Sequence, residues 1–311
     1  MRYIIGVDLG GTQLRAALVE ETGAILEEVR MPSRAADGPP SVVERIVACA
    51  AQVRAALPAG GDLLGIGLGA PGPLDPFTGE VLFAPNLPGW RDVPLRRMVE
   101  ERTGLSVELG NDANAAALGE WLFGGGQGAR NLAYITVSTG IGGGVIADGR
   151  LLLGHRGLGT EVGTSIIDVS SGAWWEHLAS GTGLAQAAAD AMRSDPASAL
   201  HALATPETVT AAHVSQAAAA GDPLALRLME REGELLGIGL TNILHLFSPE
   251  LILMGGGVIV HNPGLIARAA ATIRARAIHV YHDVPVRLAA LGDRAGILGA
   301  AALFLHMRGL A

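Results

Sequence analysis

The sequence predicts an α/β fold made of two related parts, and three observations carry that reading. Strand-like apolar runs alternate with helical patterns, the order expected of sheets covered by helices. A layout of strand, polar glycine turn, strand, hairpin and strand occurs at residues 3–29 and again at 131–153. The 311 residues also exceed what one core usually holds, since single cores stop growing near about 250–300 residues.

Tyr3-Ile4-Ile5-Gly6-Val7 is β-branched and apolar and reads as a buried strand. Leu14–Val19 and Ile25–Val29 read as two more strands, joined at Glu21-Thr22-Gly23. Ser41-Val42-Val43-Glu44 has the S-x-x-E form of a capping box. It predicts a helix whose apolar face runs Val43, Ile46, Val47, Ala50, Val53, Leu57. Leu63–Leu68 is the next strand, and the proline-dense stretch 70–94 predicts an extended surface loop. Val107–Leu109 is a short strand before a helix from Ala113 to Phe123, which Gly124-Gly125-Gly126 ends. Asn131–Val137 opens the second part, followed by the turn Ser138–Gly144, Val145–Ala147, an Asp148-Gly149 hairpin and Leu151–Leu153. Arg227–Phe247 is the clearest helix, stopped before Pro249. Leu251–Met254 is a strand running into Gly255-Gly256-Gly257, Pro285–Leu288 an edge strand and Ala295–Arg308 a final helix. The expected domains are a small one at 1–123, with the helix at about 295–311 packing back on it, and a large one at 124–294.

Composition removes several chemistries. All 22 basic residues are Arg, so there is no Lys for a P-loop, a protein-kinase strand or a pyridoxal Schiff base. A lone Cys49 excludes a disulfide framework, a Cys-based zinc ribbon and an iron–sulfur cluster. Thirty acidic residues give a net charge of −8, which argues against bulk nucleic-acid binding. No apolar run approaches a membrane span, and Asp8 interrupts the first one before it can serve as a secretory signal. A cytoplasmic protein with no membrane and no nucleic-acid partner is expected.

The 44 glycines are clustered. Gly67-Leu68-Gly69-Ala70-Pro71-Gly72 matches G-x-G-x-x-G but leads into prolines rather than a helix, so a dinucleotide fingerprint is rejected. A tight turn approaching something bound is preferred there. Asp8-Leu9-Gly10-Gly11-Thr12 suits a magnesium nucleotide. Its carboxylate can hold the ion directly or through water, and its bare amides can face phosphate oxygens. An ordinary glycine-rich hairpin turn would look the same. Ser138-Thr139-Gly140-Ile141-Gly142-Gly143-Gly144 is a second such loop, and Gly255-Gly256-Gly257 a third close-approach point. Asn111-Asp112 stands at a helix start, where Asp112 is either an N-cap or an ionised carboxylate able to take a substrate proton.

Taken together, Asp8–Thr12 with Arg15, Asn111-Asp112-Ala113-Asn114-Ala115-Ala116 and Ser138–Gly144 resemble the ROK family over nearly the whole chain. That family comprises bacterial sugar kinases and sugar-responsive repressors. The resemblance implies an actin/hexokinase-like ATPase fold, two ribonuclease-H-like domains with a cleft between them. It implies Asp112 as catalytic base and Asp8 as the magnesium-side carboxylate, through water. Phosphate and nucleotide would be held by Gly10, Gly11, Thr12, Thr139, Gly140, Gly142, Gly256 and Gly257. Sugar hydroxyls would meet Asn86, Asn111, Asp112, Glu161, Glu176 and Thr164.

The departure from the pattern is local. Family members usually place a zinc- and sugar-contacting His where Thr164 stands, followed by a Cys-x-Cys-Gly-x-x-Gly-Cys segment. Here that segment is missing and Trp174 stands where its last Cys would be. No zinc is expected. His155 and His177 would make a poor substitute without thiolates, and apolar packing of Ile166, Ile167, Trp174 and Trp175 is expected to order the stretch instead.

The expected activity is ATP- and Mg²⁺-dependent phosphorylation of a hexose, glucose or a relative, at O6, with altered or looser sugar preference. The alternatives are an N-acylhexosamine or fructose kinase, or an impaired sugar-binding sensor. The family's repressors carry an N-terminal helix-turn-helix, whereas this sequence opens on its first strand, which favours the kinase branch. A homo-oligomer, dimer or tetramer, is expected from the family.

Overall fold

A computed structural model of the chain describes residues 1–84 and 87–310. The chain divides into two compact units. Met1–Gly128, Arg150–Thr160 and Asp293–Ala311 form the first, and Ala129–Gly149 with Glu161–Gly292 the second. Arg150–Thr160 therefore groups with the first unit, whereas the sequence assigns it to the second part.

In the first unit, β1 (Arg2–Leu9), β2 (Gln13–Glu20) and β3 (Ile25–Pro32) form an antiparallel meander. Ile4, Ile5, Val7 and Leu9 of β1 are all fully buried, as a central strand covered on both faces requires. Helix α1 (Pro39–Arg54) leads to β4 (Asp62–Ala70), which runs parallel to β1. The expected capping box does not form. The helix starts three residues earlier, at Pro39-Pro40 behind Gly38, and among the described residues no side chain caps it. Proline fixes φ near the helical value and needs no N–H donor there, so it starts the helix by itself. Cys49 lies buried on this helix, and burial pushes its thiol up to about 11.

The described part of 70–94 is not a surface loop. It forms a three-stranded antiparallel sheet of β5 (Leu74–Asp75), β6 (Glu80–Phe83) and β7 (Arg91–Val93). Pro73, Pro76 and Pro94 flank the strands and do not lie in them, and Leu74, Val81, Leu87 and Trp90 are buried, so the segment gains a core that its proline content alone does not suggest. The buried Asp75 accepts Phe77 N–H at 2.9 Å and Arg156 Nε at 3.2 Å. That second bond ties the 150–160 segment into this unit.

Helix α2 (Leu95–Thr103), β8 (Val107–Asn111) and α3 (Asp112–Phe123) follow, giving the sheet order β3-β2-β1-β4-β8. The C-terminal helix α10 (Ala295–Met307) packs on β1, β4 and α3. The G-x-G-x-x-G stretch finds its explanation here. Gly67 lies inside β4, where a Cβ would collide with the Ala300 carbonyl of α10. The close approach is to a helix of the same unit and not to a ligand.

The second unit opens with β9 (Leu132–Val137) and antiparallel β10 (Ile141–Ala147). The two-residue β11 (Arg150–Leu151) then begins the segment that groups with the first unit. Next come the short β12 (Ile166–Asp168) and β13 (Ala173–Trp174), and the helices α4 (Trp175–Ala179), α5 (Gly181–Met192), α6 (Ala211–Ala219) and α7 (Pro223–Phe247). Helix α7 starts a turn before its predicted place, because Asp222 caps it by accepting Ala225 N–H at 2.9 Å. Strand β14 (Leu251–Gly255) pairs parallel to β9, and after α8 (Gly257–His261) and α9 (Gly264–Arg276), β15 (Val286–Leu288) pairs parallel to β14. The order β10-β9-β14-β15 repeats β2-β1-β4-β8 of the first unit. Among the described residues no helix is long and apolar enough to cross a membrane.

One buried charge stands apart. Glu232 on α7 is fully buried, and among the described residues neither carboxylate oxygen has a hydrogen-bond partner. Burial pushes its carboxyl up from 4.5 to about 8. The folded chain keeps a proton there that the unfolded chain has lost. The contribution to stability is therefore present below about pH 4.5 and lost as pH rises to about 8. Glu232→Gln is expected to flatten the fall in melting temperature between mildly acidic and mildly alkaline buffer, read by thermal denaturation across pH. An unchanged fall would remove Glu232 as its cause.

Candidate functional site

The singled-out residues fall into two sets, one in each unit. In the first, the β1–β2 turn carries Asp8, Gly10, Gly11 and Thr12. Gly10 N–H donates to Gln13 C=O at 2.8 Å, closing the turn. The buried Ser33 grips it from beyond β3, its hydroxyl donating to Gly11 C=O at 2.7 Å and its amide to Thr12 C=O at 2.9 Å. With those carbonyls held inward, the turn presents the amide-rich edge that an anion needs.

Asp8 is paired. Arg15 Nη2 and Nε donate to its Oδ2 at 2.6 and 3.2 Å, and Arg15 Nη1 donates to Asp293 C=O at 2.6 Å. Gly296, in the first turn of α10, leaves room for the Asp8 carboxylate, which a Cβ there would strike. The sequence pattern singles out Asp8 and Arg15 but not their contact. Neighbours across a β-hairpin register, Asp8 opposite Arg15, are the signal that could have found it.

Asn111 ends β8 and caps α3. Its Oδ1 accepts Ala113 N–H at 2.9 Å and Asn114 N–H at 3.2 Å. Asp112, the first helical residue, accepts Ala113 N–H at 2.8 Å. Of the two residues expected at this helix start, Asn111 is thus the cap, and Asp112 sits in the first turn, where the dipole favours a negative charge. Asn86 lies outside the described residues.

In the second unit, Ser138–Gly140 joins β9 to β10, with Ser138 N–H donating to Gly140 C=O at 2.8 Å. The start of α5 holds this loop. Gly181 N–H donates to Ser138 C=O at 2.7 Å, and the Thr182 hydroxyl donates to Thr139 C=O at 2.8 Å. Glu176 Oε2 accepts Ile141 N–H at 2.8 Å. Gly256 has φ 84 and lies so close to the end of β9 that a Cβ would collide with Val137 C=O. A cavity of about 380 Å³ opens beside these loops, lined by Ser138, Thr139, Gly181, Thr210, Gly257 and Asn262 among others. Two of the three glycine clusters thus border one cavity. Thr210 and Asn262 carry no sequence signal, because separate helices bring them there.

Glu161 keeps an open edge to solvent. The protein crowded around its carboxyl, and second the charge of Glu176, raise its pKa above the ordinary glutamate value. The Thr164 hydroxyl donates to Glu161 C=O at 2.8 Å, so toward a ligand it offers an acceptor and not a donor.

The stretch where the family's zinc segment would stand is a small hairpin, β12–β13. Asp168 accepts the Ser170 hydroxyl and amide at 2.7 and 3.0 Å and the Ser171 hydroxyl at 2.6 Å. These bonds, that of the Ser170 side chain first, lower its carboxyl to about 2. The expected apolar packing holds only in part. Trp175 is fully buried against α7, where Gly239 leaves room for the indole. Trp174 and Ile166 are exposed, at 41% and 57%. Trp174 instead stacks on His177, with ring centroids 4.8 Å apart. Trp174 ends β13 and Trp175 begins α4, so the two rings enter different environments at the junction of strand and helix, and a polar turn does the ordering. Among the described residues no group of three or more His, Cys, Asp or Glu is arranged to hold a metal ion.

Two sheets of one strand order, each with a glycine loop after its first strand, define an actin/hexokinase-like ATPase fold. The chain belongs to the ROK family, whose sequence profile matches residues 4–307. It is 36% identical to a glucokinase of Halalkalibacterium halodurans, over 96% of this chain and 93% of that one. The ROK hexokinase of Thermus thermophilus superposes with a TM-score of 0.84 at 36% identity, covering 99% of both chains. A ROK glucokinase of Streptomyces griseus in complex with glucose and AMPPNP superposes with a TM-score of 0.80 at 34% identity, covering 97% of this chain and 98% of that one.

With Thr164 in place of the family's His and one cysteine in the chain, purified protein is expected to carry no stoichiometric zinc by elemental analysis. One zinc per chain would show that other ligands have taken over.

Proposed function

We propose that this chain is an ATP-dependent hexose kinase that phosphorylates a primary hydroxyl, O6, of glucose or a close relative. The observation that carries the reading is its whole-length likeness to a glucokinase described in complex with glucose and AMPPNP. The cavity beside the Ser138–Thr139 loop and Gly257 supports it as the place for the nucleoside.

Phosphoryl transfer asks for positioning and charge neutralisation more than for covalent chemistry. Asp112 is the proposed general base. It accepts the proton of the sugar hydroxyl while that oxygen bonds to the γ-phosphorus and the bond to the β–γ bridging oxygen breaks, releasing ADP. Gly10, Gly11 and Thr12 in one unit, and Thr139 and Gly140 in the other, offer backbone amides to phosphate oxygens, whereas Gly142, expected with them, lies inside β10 opposite Thr136 of β9. Gly256 and Gly257 are the proposed nucleoside-side contacts. Asn111, Glu161, Glu176 and Thr164 are the proposed sugar contacts, with Asn86 as a further one. An acceptor-only Thr164 supports a looser sugar preference than a His there would give.

The residues present fit magnesium, which prefers oxygen ligands and keeps most of its waters. Asp8 is the carboxylate proposed to hold it, and its pairing with Arg15 supports contact through water. When bound, the ion neutralises phosphate charge. Arg15, paired with Asp8, is the guanidinium proposed for that task in a chain without Lys. Leu246, Ile278 and Val280 are exposed, and the His245–Tyr281 ring contact and the Ile278 N–H to His245 bond bring their segments together. This apolar surface supports a dimer or tetramer.

ADP release with a panel of glucose, mannose, fructose, N-acetylglucosamine and N-acetylmannosamine is expected to show turnover of glucose together with at least one relative. No turnover of any sugar would sink the kinase reading. Asp112→Asn is expected to fold normally and to lose about a hundredfold or more in kcat, the usual reach of a general base. A smaller loss would move the base elsewhere.

A further inference from the structure

Glu176 does something a sugar contact need not do. Its Oε2 accepts the backbone amide of Ile141, at the far end of the β9–β10 loop, at 2.8 Å. A bond to an ionised acceptor is stronger than one between neutral groups. The preceding Gly140 presses on the same carboxylate, and a Cβ at that position would collide with Oε2. A residue with a Cβ there would have to push the carboxylate from its present place.

The grip extends along the chain. Glu176 lies on α4, and Gly181 and Thr182, at the start of α5, hold the carbonyls of Ser138 and Thr139. One short segment, 176–182, therefore fastens the loop at three successive points. Ser138, Thr139 and Gly181 are also wall residues of the 380 Å³ cavity. The position of the cavity wall is set by the segment that carries a proposed sugar-binding carboxylate.

We propose that Glu176 is a positioning residue for the nucleotide loop, bracing Gly140-Ile141 before any sugar arrives and linking sugar occupancy to nucleotide affinity. The inference rests on the kinase reading above and adds a role that a sugar contact alone would not have. Oε2 is committed to the loop, and among the described residues Oε1 makes no hydrogen bond, so a sugar hydroxyl can engage the carboxylate without breaking the brace. Any coupling is reciprocal: the factor by which sugar changes nucleotide affinity equals the factor by which nucleotide changes sugar affinity.

The test is binding of AMPPNP with magnesium by calorimetry, with no sugar present. Bonds to charged groups are among the stronger hydrogen bonds, so Glu176→Ala is expected to weaken sugar-free AMPPNP binding by about tenfold or more. Glu176→Gln, whose amide oxygen can accept the same N–H, is expected to keep most of that affinity. Gly140→Ala keeps the Glu176 side chain, but its Cβ displaces the carboxylate from Ile141, and it is expected to resemble Glu176→Ala. Sugar-free affinity within twofold of wild type in both Glu176→Ala and Gly140→Ala would overturn the brace and leave Glu176 as a sugar contact only. Hydrogen exchange of the Ile141 amide in the wild-type chain gives a readout that needs neither nucleotide nor a folded variant. Protection is expected, and exchange at the rate of a free amide would also overturn the proposal. Wild-type protein that binds no AMPPNP would instead overturn the kinase reading, and the Ile141 exchange rate would still decide the brace.

Discussion

The carboxylate of Glu176 on the amide of Ile141 is the contact on which the second unit's loop depends. A loop of Ser, Thr and Gly has little side-chain mass with which to anchor itself, and its glycines carry the greatest conformational freedom to lose. It holds a shape only if something outside it supplies the bonds. The segment from α4 into α5 does so, and the cavity bordered by Ser138 and Gly257 takes its form from that grip.

The first unit meets the same demand with other residues. Ser33, from beyond β3, holds the carbonyls of Gly11 and Thr12, much as Gly181 and Thr182 hold those of Ser138 and Thr139. In both loops the acceptors are pulled toward the protein. That division of a turn into a tied carbonyl side and an amide side suits the proposed use of backbone amides for phosphate in a chain with no Lys. Asp8 adds the negative group beside the first loop, held by Arg15 and fitted against the start of α10 at Gly296. Sequence-distant pieces, residues 8 and 296, thus define one corner of the first unit.

The hairpin at 166–174 shows how a segment lacking the family's cysteines keeps its order. Asp168 gathers the hydroxyls of Ser170 and Ser171 into a tight turn, and Trp175 anchors the end against Gly239 of α7. Local side-chain bonding of this kind is what Asp and Ser offer in turns. It places Glu176 immediately after a fixed residue, which is where a carboxylate that braces a loop has to stand.

Much of the fold was legible in the residues. The buried strands, the repeated layout, the helices ending at Gly124 and before Pro249, and the family itself follow from apolar period, glycine placement and the motifs at Asp8, Asp112 and Ser138. These are local signals, and the physics behind each acts within a few residues. The tertiary structure decided the rest. The proline-dense stretch became a sheet because Leu74, Val81 and Trp90 found a core. The G-x-G-x-x-G run turned out to admit α10, and Trp174 and Trp175 parted to opposite environments. Whether Glu176 faces a ligand, a loop amide or both depends on where residues 140 and 141 lie relative to residue 176. Chain distance says nothing about that, because packing energy, and not local preference, brings them together.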